Sequence, residues 1–200
     1  FQTNNQRKFI RTHNYELIRT YSSMNRIWLE KSTDNGTSWS LLNLGSSISG
    51  TGADYPSLVQ IAQSMLLIVY LESSMVKAVL YDLAYEQIRA TYLIKDIYVG
   101  GGIPVVTASR DGQNNFMVVW NEVEGGEWYP GGLHYFYGKI ITGGSGYPAI
   151  SEISAGLMSG TTGNSVNPAI GIRIAGASYP LYYHLAWEES NSGGSVIKYC

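Results

Sequence analysis

Four apolar segments of the chain share one pattern of hydrophobic and polar positions. Each is bounded by turn residues and is rich in β-branched and aromatic side chains, which favours a buried strand over a short helix. Three of them end in a glutamate, and the first and second are both followed by Ser-Ser-Met. The segments are residues 15–21, 66–72, 116–122 and 183–189. We predict that they are equivalent strands of a repeated unit.

A proline precedes three of these segments, at Pro56, Pro104 and Pro168. Proline is tolerated at the first residue of a strand, so each marks the start of a preceding strand. With the strands that follow, the pattern predicts an all-β chain of four-stranded antiparallel units at a period of about 40 to 50 residues, typical of β-propeller blades. The blades are expected at about 4–44, 54–98, 102–150 and 166–200, within a single domain or part of one, the last blade being incomplete. A β-sandwich is the structural alternative.

The composition of the chain limits the kinds of partner that the protein is expected to bind. The 200 residues are 44% hydrophobic, enough to form a core, and Lys plus Arg number 13 against 15 Asp plus Glu. A net charge of -2 predicts no binding to nucleic acid or to an anionic membrane surface. No apolar stretch is long enough to span a bilayer as a helix. Because the chain begins at Phe1 and ends at Cys200 inside a predicted strand, we expect a piece of a longer protein that associates through its incomplete last blade or through Cys200.

One short motif follows the third strand of the first unit. Residues 32–39 read Ser-Thr-Asp-Asn-Gly-Thr-Ser-Trp, which resembles the Asp-box, or BNR repeat, Ser-x-Asp-x-Gly-x-Thr-Trp, with Ser38 in the threonine position. Physically the motif is a hairpin lock, in which Gly36 tolerates a positive φ, Asp34 accepts N–H groups of the turn and Trp39 packs over it. The structural residues are Ser32, Asp34, Gly36 and Trp39.

The repeat and the motif together resemble the sialidase-type β-propeller family over nearly the whole chain. This resemblance implies a secreted or cell-surface location and a fold shared by enzymes and non-catalytic binding proteins. It also implies that ligands bind on the face opposite the Asp-box turns, here called the loop face, formed by the loops between second and third strands and by the segments that join the blades. A sialidase needs an arginine triad, and no arginine of this chain lies in the family's Phe- or Tyr-Arg-Ile-Pro sequence. Sialidase activity is therefore not expected.

Candidate ligand-binding residues lie on this loop face. The longest loop between second and third strands, residues 122–132, carries a Trp-Tyr pair among glycines and carboxylates, which suits stacking on a sugar ring or docking of a protein. In the alternative, Trp128 covers the core beneath its own loop. The glutamates at the ends of the predicted strands have two alternative roles. They are either a pair of acids for glycoside hydrolysis or ordinary charges in contact with solvent. The candidate set is Glu72, Glu122, Glu124, Glu127, Trp128, Tyr129 and Glu189.

Two functions from different classes remain. The first is a non-catalytic extracellular recognition or structural module that binds a glycan or a protein through its loop face. The second is a fragment of a glycan-processing glycoside hydrolase with catalytic groups outside this chain. No cofactor is predicted, and His13, His134 and His184 lack metal-ligand spacing, so no metal site is predicted either.

Overall fold

A computed structural model describes residues 8–97, 104–108, 114–122, 132–142, 148–158, 164–173, 182–191 and 193–200. These residues form fifteen β-strands and a short 3-10 turn at Asn43–Gly45, with no α-helix among them, which confirms the predicted all-β class. The strands are β1 Phe9–Arg11, β2 Leu17–Ser23, β3 Arg26–Ser32, β4 Ser40–Leu41, β5 Ala53–Gln60, β6 Met65–Glu72, β7 Met75–Asp82, β8 Gln87–Asp96, β9 Val105–Ala108, β10 Asn115–Glu122, β11 Gly132–Thr142, β12 Pro148–Leu157, β13 Asn164–Arg173, β14 Tyr182–Asn191 and β15 Gly194–Tyr199.

The strands form four antiparallel sheets that follow one another along the chain. The first three sheets have the orders β1-β2-β3-β4, β5-β6-β7-β8 and β9-β10-β11-β12, and the fourth has the order β13-β14-β15 among the described residues. Strands adjacent in sequence pair with each other, so each sheet is a simple meander. The four segments predicted as equivalent provide the second strand of each sheet: β2, β6, β10 and β14.

The first of these strands begins later than its sequence pattern suggests. Tyr15 lies in the turn before β2, where it has a φ of 64° and its N–H group donates to the carbonyl of Thr12. A left-handed φ interrupts an extended strand unless a β-bulge accommodates it. The apolar pattern therefore locates β2, and the turn geometry sets its first residue at Leu17.

Hydrophobic cores lie between successive sheets. Side chains of β6 alternate between two of them: Leu66 and Ile68 belong to the core shared with the first sheet, and Leu67 and Val69 to the core shared with the third. A smaller cluster, including Val119 and Leu185, joins the third and fourth sheets. Because the second sheet is covered on both faces, β6 is a continuous apolar run rather than an alternating one.

The outer faces of the first and fourth sheets differ in chemistry. On the first sheet, Arg19 pairs with Glu30 at 2.5 Å and its guanidinium lies 4.2 Å from the ring centroid of Trp39. On the fourth sheet, every residue of β15 is exposed, including Ile197 and Tyr199, and the thiol of Cys200 is free and exposed. Association through this region stays a prediction. Within the described ranges, no helix has the length and apolar character needed to cross a membrane.

Candidate functional site

The three candidate glutamates lie at or near the ends of the second strands: Glu72 and Glu122 are the last residues of β6 and β10, whereas Glu189 lies two residues before the end of β14. Each has an aromatic residue two positions earlier, on the same face of the sheet. A lysine or histidine of the third strand lies directly opposite that aromatic residue. The three sets are Tyr70, Glu72 and Lys77; Trp120, Glu122 and His134; and Trp187, Glu189 and Lys198.

Glu72 is held from two sides. Its Oε1 accepts a hydrogen bond from the Nζ of Lys77, and its Oε2 accepts the backbone N–H of Gly50 at 3.0 Å. The Glu72 and Lys77 side chains are only 13% and 20% exposed, so their charges stabilise each other with little screening by water. Burial, with a smaller contribution from the charge of Glu72, raises the pKa of Tyr70 well above its usual range. Glu72 therefore ties the second sheet to the segment that precedes it.

Glu122 is also engaged, by a different partner. The indole Nε1 of Trp120 donates to its Oε2 at 3.2 Å, and the Nε2 of His134 lies 3.9 Å from the same oxygen. The His134 ring stacks on Trp120 with centroids 5.9 Å apart. Glu122 is buried, so this carboxylate sits in a packed aromatic environment rather than in open solvent.

Glu189 is less completely paired than its two equivalents. Its Oε1 lies 3.9 Å from the Nζ of Lys198, a side chain that is half exposed. Two buried atoms at this position, Glu189 Oε2 and Trp187 Nε1, have no hydrogen-bond partner in the described part of the chain. The contact that joins Trp120 to Glu122 is thus not made by Trp187 and Glu189.

The remaining candidates, Glu124, Glu127, Trp128 and Tyr129, lie outside the described residues. Among the residues that are described, no three His, Cys, Asp or Glu side chains converge to hold a metal ion.

Hydrogen bonds join the loop-face segments of the first two sheets. The N–H of Ala53 donates to the carbonyl of Asn25 at 3.0 Å, and the N–H of Ser73 donates to the carbonyl of Gly52 at 2.9 Å. The hydroxyl of Ser22 donates to Asp54 Oδ1 at 2.5 Å. This polar contact was missed from the sequence, because Ser22 and Asp54 belong to different units and no motif links them.

On the opposite face, the β3–β4 turn holds the four motif residues together. The buried Ser32 hydroxyl donates to Asp34 Oδ1 at 2.7 Å and accepts the N–H of Gly36 at 2.8 Å. The two oxygens of Asp34 accept the N–H of Ser38 at 2.9 Å and its hydroxyl at 2.5 Å. Gly36 has a φ of 92°, and its carbonyl accepts the indole N–H of Trp39 at 3.1 Å.

The sequence matches no protein-family model and no curated protein. The resemblance to Asp-box proteins therefore rests on the residues and turn geometry of this chain alone.

The Asp34 carboxylate makes the stability of this turn depend on pH. Hydrogen bonds from Ser38, and then from Ser32, hold the pKa of Asp34 well below its usual value. A lowered folded-state pKa means that the carboxylate stabilises the fold above the unfolded pKa of about 4 and loses this contribution as the pH falls below it. We expect Asp34→Ala to lower the melting temperature at pH 7 and to lower it progressively less as the pH falls toward 2.

Thermal unfolding followed by circular dichroism, in steps from pH 7 to pH 2, measures this difference. Asp96→Ala, at the end of β8, is the control and should leave the melting temperature nearly unchanged. A melting difference between wild type and Asp34→Ala that is constant across this range would contradict the role of the ionised carboxylate.

Proposed function

We propose that the four sheets are blades of a sialidase-type β-propeller and that the protein is a non-catalytic extracellular recognition module. Its loop face binds a glycan or a protein partner. The packing of the sheets supports the propeller part of this proposal. β5 contacts β2 of the sheet before it and β9 of the sheet after it, and β13 contacts β9 and β10. Four sheets packed in chain order through three cores suit radial blades better than the two facing sheets of a sandwich.

The hydrogen bonds that Glu72 and Glu122 make within the protein favour a binding function over a catalytic one. A glycosidase needs two carboxyl groups facing each other across the scissile bond, with room for sugar or water between them. Glu72 is bound to Lys77 and Gly50, and Glu122 is bound to Trp120, so both carboxylates already serve contacts within the protein. Groups used in this way stabilise the sheet ends and leave substrate contacts to the loops.

Binding and turnover assays on the same preparation test this proposal. A glycan array and a pull-down with defined surface proteins test for binding, and a panel of fluorogenic glycosides tests for turnover by this chain. We expect binding on the array or to a protein, and no glycoside hydrolysis above the rate without protein. Hydrolysis that is lost in Glu122→Gln would contradict the non-catalytic module and place a catalytic group within this chain, and the absence of any binding would contradict the recognition module.

A substitution at Trp128 tests whether the ligand binds on the loop face. Trp128→Ala should weaken binding by about 1 to 3 kcal/mol, the cost of losing an aromatic anchor, without lowering the melting temperature. Isothermal titration calorimetry and thermal unfolding measure the two effects. The control is Trp39→Ala on the opposite face, which should lower the melting temperature and keep the affinity. A Trp128→Ala protein that melts far below wild type would mean that Trp128 belongs to the core instead.

A further inference from the structure

Two first strands, β5 and β13, begin with the same irregularity. The pairing register shifts between Asp54 and Ser57 in β5, and between Val166 and Ala169 in β13. Inside each shift, the residue before the proline has a left-handed backbone: Tyr55 has a φ of 56° and Asn167 a φ of 52°. Both strands thus carry a β-bulge at equivalent places, a device that redirects side chains and often lies near binding sites.

This backbone conformation is costly for a bulky residue such as Tyr55, whereas asparagine tolerates it better than most residues. A bulky side chain at positive φ is rare, and a following proline restricts the backbone further. Glycine removes most of this strain, and the chain uses glycine at Gly52, where φ is 82°. At the bulges it instead has tyrosine and asparagine. Strained residues of this kind cluster at ligand-binding sites, so we attribute their presence to the side chains that the bulges carry.

The polar groups around the two bulges are accessible. Asp54 Oδ1 accepts the N–H of Tyr55 at 2.7 Å and the hydroxyl of Ser22, and within the described residues its Oδ2 accepts no hydrogen bond. Asn167 Nδ2 donates to Glu188 Oε2 at 3.0 Å. Asp54 and Asn167 are exposed and Tyr55 is half-buried. The bulges therefore present an aromatic ring together with several hydrogen-bonding groups.

The topology places both bulges on the loop face. Ala53 pairs with Glu72 and Ser165 with Glu189, so β5 and β13 start at the end of the sheets where the second strands finish. Both strands contact β9, which lies between them in chain order. Tyr55 and Asn167 belong to different sheets, and packed sheets are about 10 Å apart, so a ligand that touches both residues must be longer than a single sugar ring.

A second, independent feature lies at the same end of the fourth sheet. Glu189, the neighbour of Glu188, has a buried oxygen without a hydrogen-bond donor among the described residues, and Trp187 has a buried N–H without an acceptor. Buried polar atoms without partners are costly. A hydroxyl group, which both donates and accepts, would satisfy the pair after a rotation of the Glu189 carboxyl group.

We infer that Tyr55, Asp54 and Asn167 form a binding site for an uncharged oligosaccharide. The Tyr55 ring offers a stacking surface, and the carboxylate and amide groups hydrogen-bond sugar hydroxyls. Asp54 and Glu188 repel acidic sugars, so neutral chains bind and sialylated chains do not. This inference rests on the proposed function in its glycan-binding form. It adds the residues that bind the glycan and the class of glycan that they bind.

Glycine substitutions test the inference because they separate stability from binding. Tyr55→Gly and Asn167→Gly remove the side chains and relieve the backbone, so their melting temperatures should equal or exceed that of wild type, while affinity for neutral oligosaccharides falls roughly tenfold. Leu44→Gly is the matched control, because Leu44 has a φ of 55° and is 96% exposed. It should keep full binding. The probes are neutral and sialylated glycans of one to six sugars, measured by array and then by calorimetry.

The outcomes are distinguishable. The inference is wrong, and the proposed function stands, if wild type binds glycans and both glycine variants bind them as wild type does. It is also wrong if wild type prefers sialylated glycans to neutral ones, or binds single sugars as tightly as oligosaccharides. If wild type binds no glycan, the inference and the glycan-binding form of the proposed function both fail. If a glycine variant melts far below wild type, Tyr55→Asn and Asn167→Asp replace the glycine variants, since both new residues tolerate positive φ. Unchanged binding in these two variants would overturn the inference, and reduced binding would support it.

Discussion

Replacing Gly138 by alanine should lower the free energy of unfolding by about 1 to 3 kcal/mol, the usual cost of overpacking a core. Gly138 lies in β11 at a shift of the pairing register with β12. A Cβ atom there would lie 2.6 Å from Phe136 Cε1 and 2.7 Å from Phe116 Cζ. Both phenylalanines are buried, and their rings stack with centroids 5.9 Å apart. The rings cannot move aside without disturbing the core between the second and third sheets.

Urea unfolding of Gly138→Ala against a matched glycine variant measures this effect. Gly171→Ala is the control, since a Cβ at Gly171 meets no atom within 4 Å, and the change should be neutral or slightly stabilising. Phe116→Leu, which shortens one of the obstructing side chains, should cost less in the Gly138→Ala background than in wild type. Equal effects of the two alanine variants would mean that Gly138 is retained for another reason.

Lys77→Met should destabilise the protein by about 2 to 3 kcal/mol, somewhat below the cost of breaking a fully buried ion pair. The substitution leaves the Glu72 carboxylate, only 13% exposed, with the backbone N–H of Gly50 as its remaining partner among the described residues. Glu72→Gln combined with Lys77→Met should recover most of the loss, because no unpaired charge is then buried. This result would identify Glu72 as a structural residue rather than a catalytic acid.

The equivalent lysine of the fourth sheet is the control for this double-mutant cycle. Lys198 is 49% exposed and lies 3.9 Å from Glu189, so Lys198→Met should change the stability by less than about 1 kcal/mol. Denaturant unfolding gives all the values on one scale. Equal losses from Lys77→Met and Lys198→Met would contradict the assigned difference in burial.

Local sequence patterns determined the strands and their connections. The apolar run at 66–72 predicted a buried strand, and it forms most of β6, because a strand with a core on each side needs apolar residues at consecutive positions. The residues at 32–39 predicted a tight turn because serine, aspartate and glycine meet local hydrogen-bonding and φ requirements. These features depend on residues close in sequence, which a single chain displays directly.

The partners of polar residues were decided by the tertiary structure. Glu72, Glu122 and Glu189 end similar segments, yet one contacts a lysine and a loop amide, one an indole, and one is incompletely paired. The bulges at Tyr55 and Asn167 likewise depend on how the first strands pair and pack. In sequence, these residues are ordinary neighbours of a proline.

The restriction at Gly138 shows why such features escape sequence analysis. Phe136 lies two positions before Gly138, but the other ring that excludes a Cβ, that of Phe116, comes from β10, more than twenty residues earlier along the chain. Local sequence patterns determined which segments form strands, because runs of β-branched and aromatic residues bounded by turn residues favour an extended backbone. The three-dimensional packing of separate strands decided which charges are paired, where the backbone is strained and which positions have no room for a side chain.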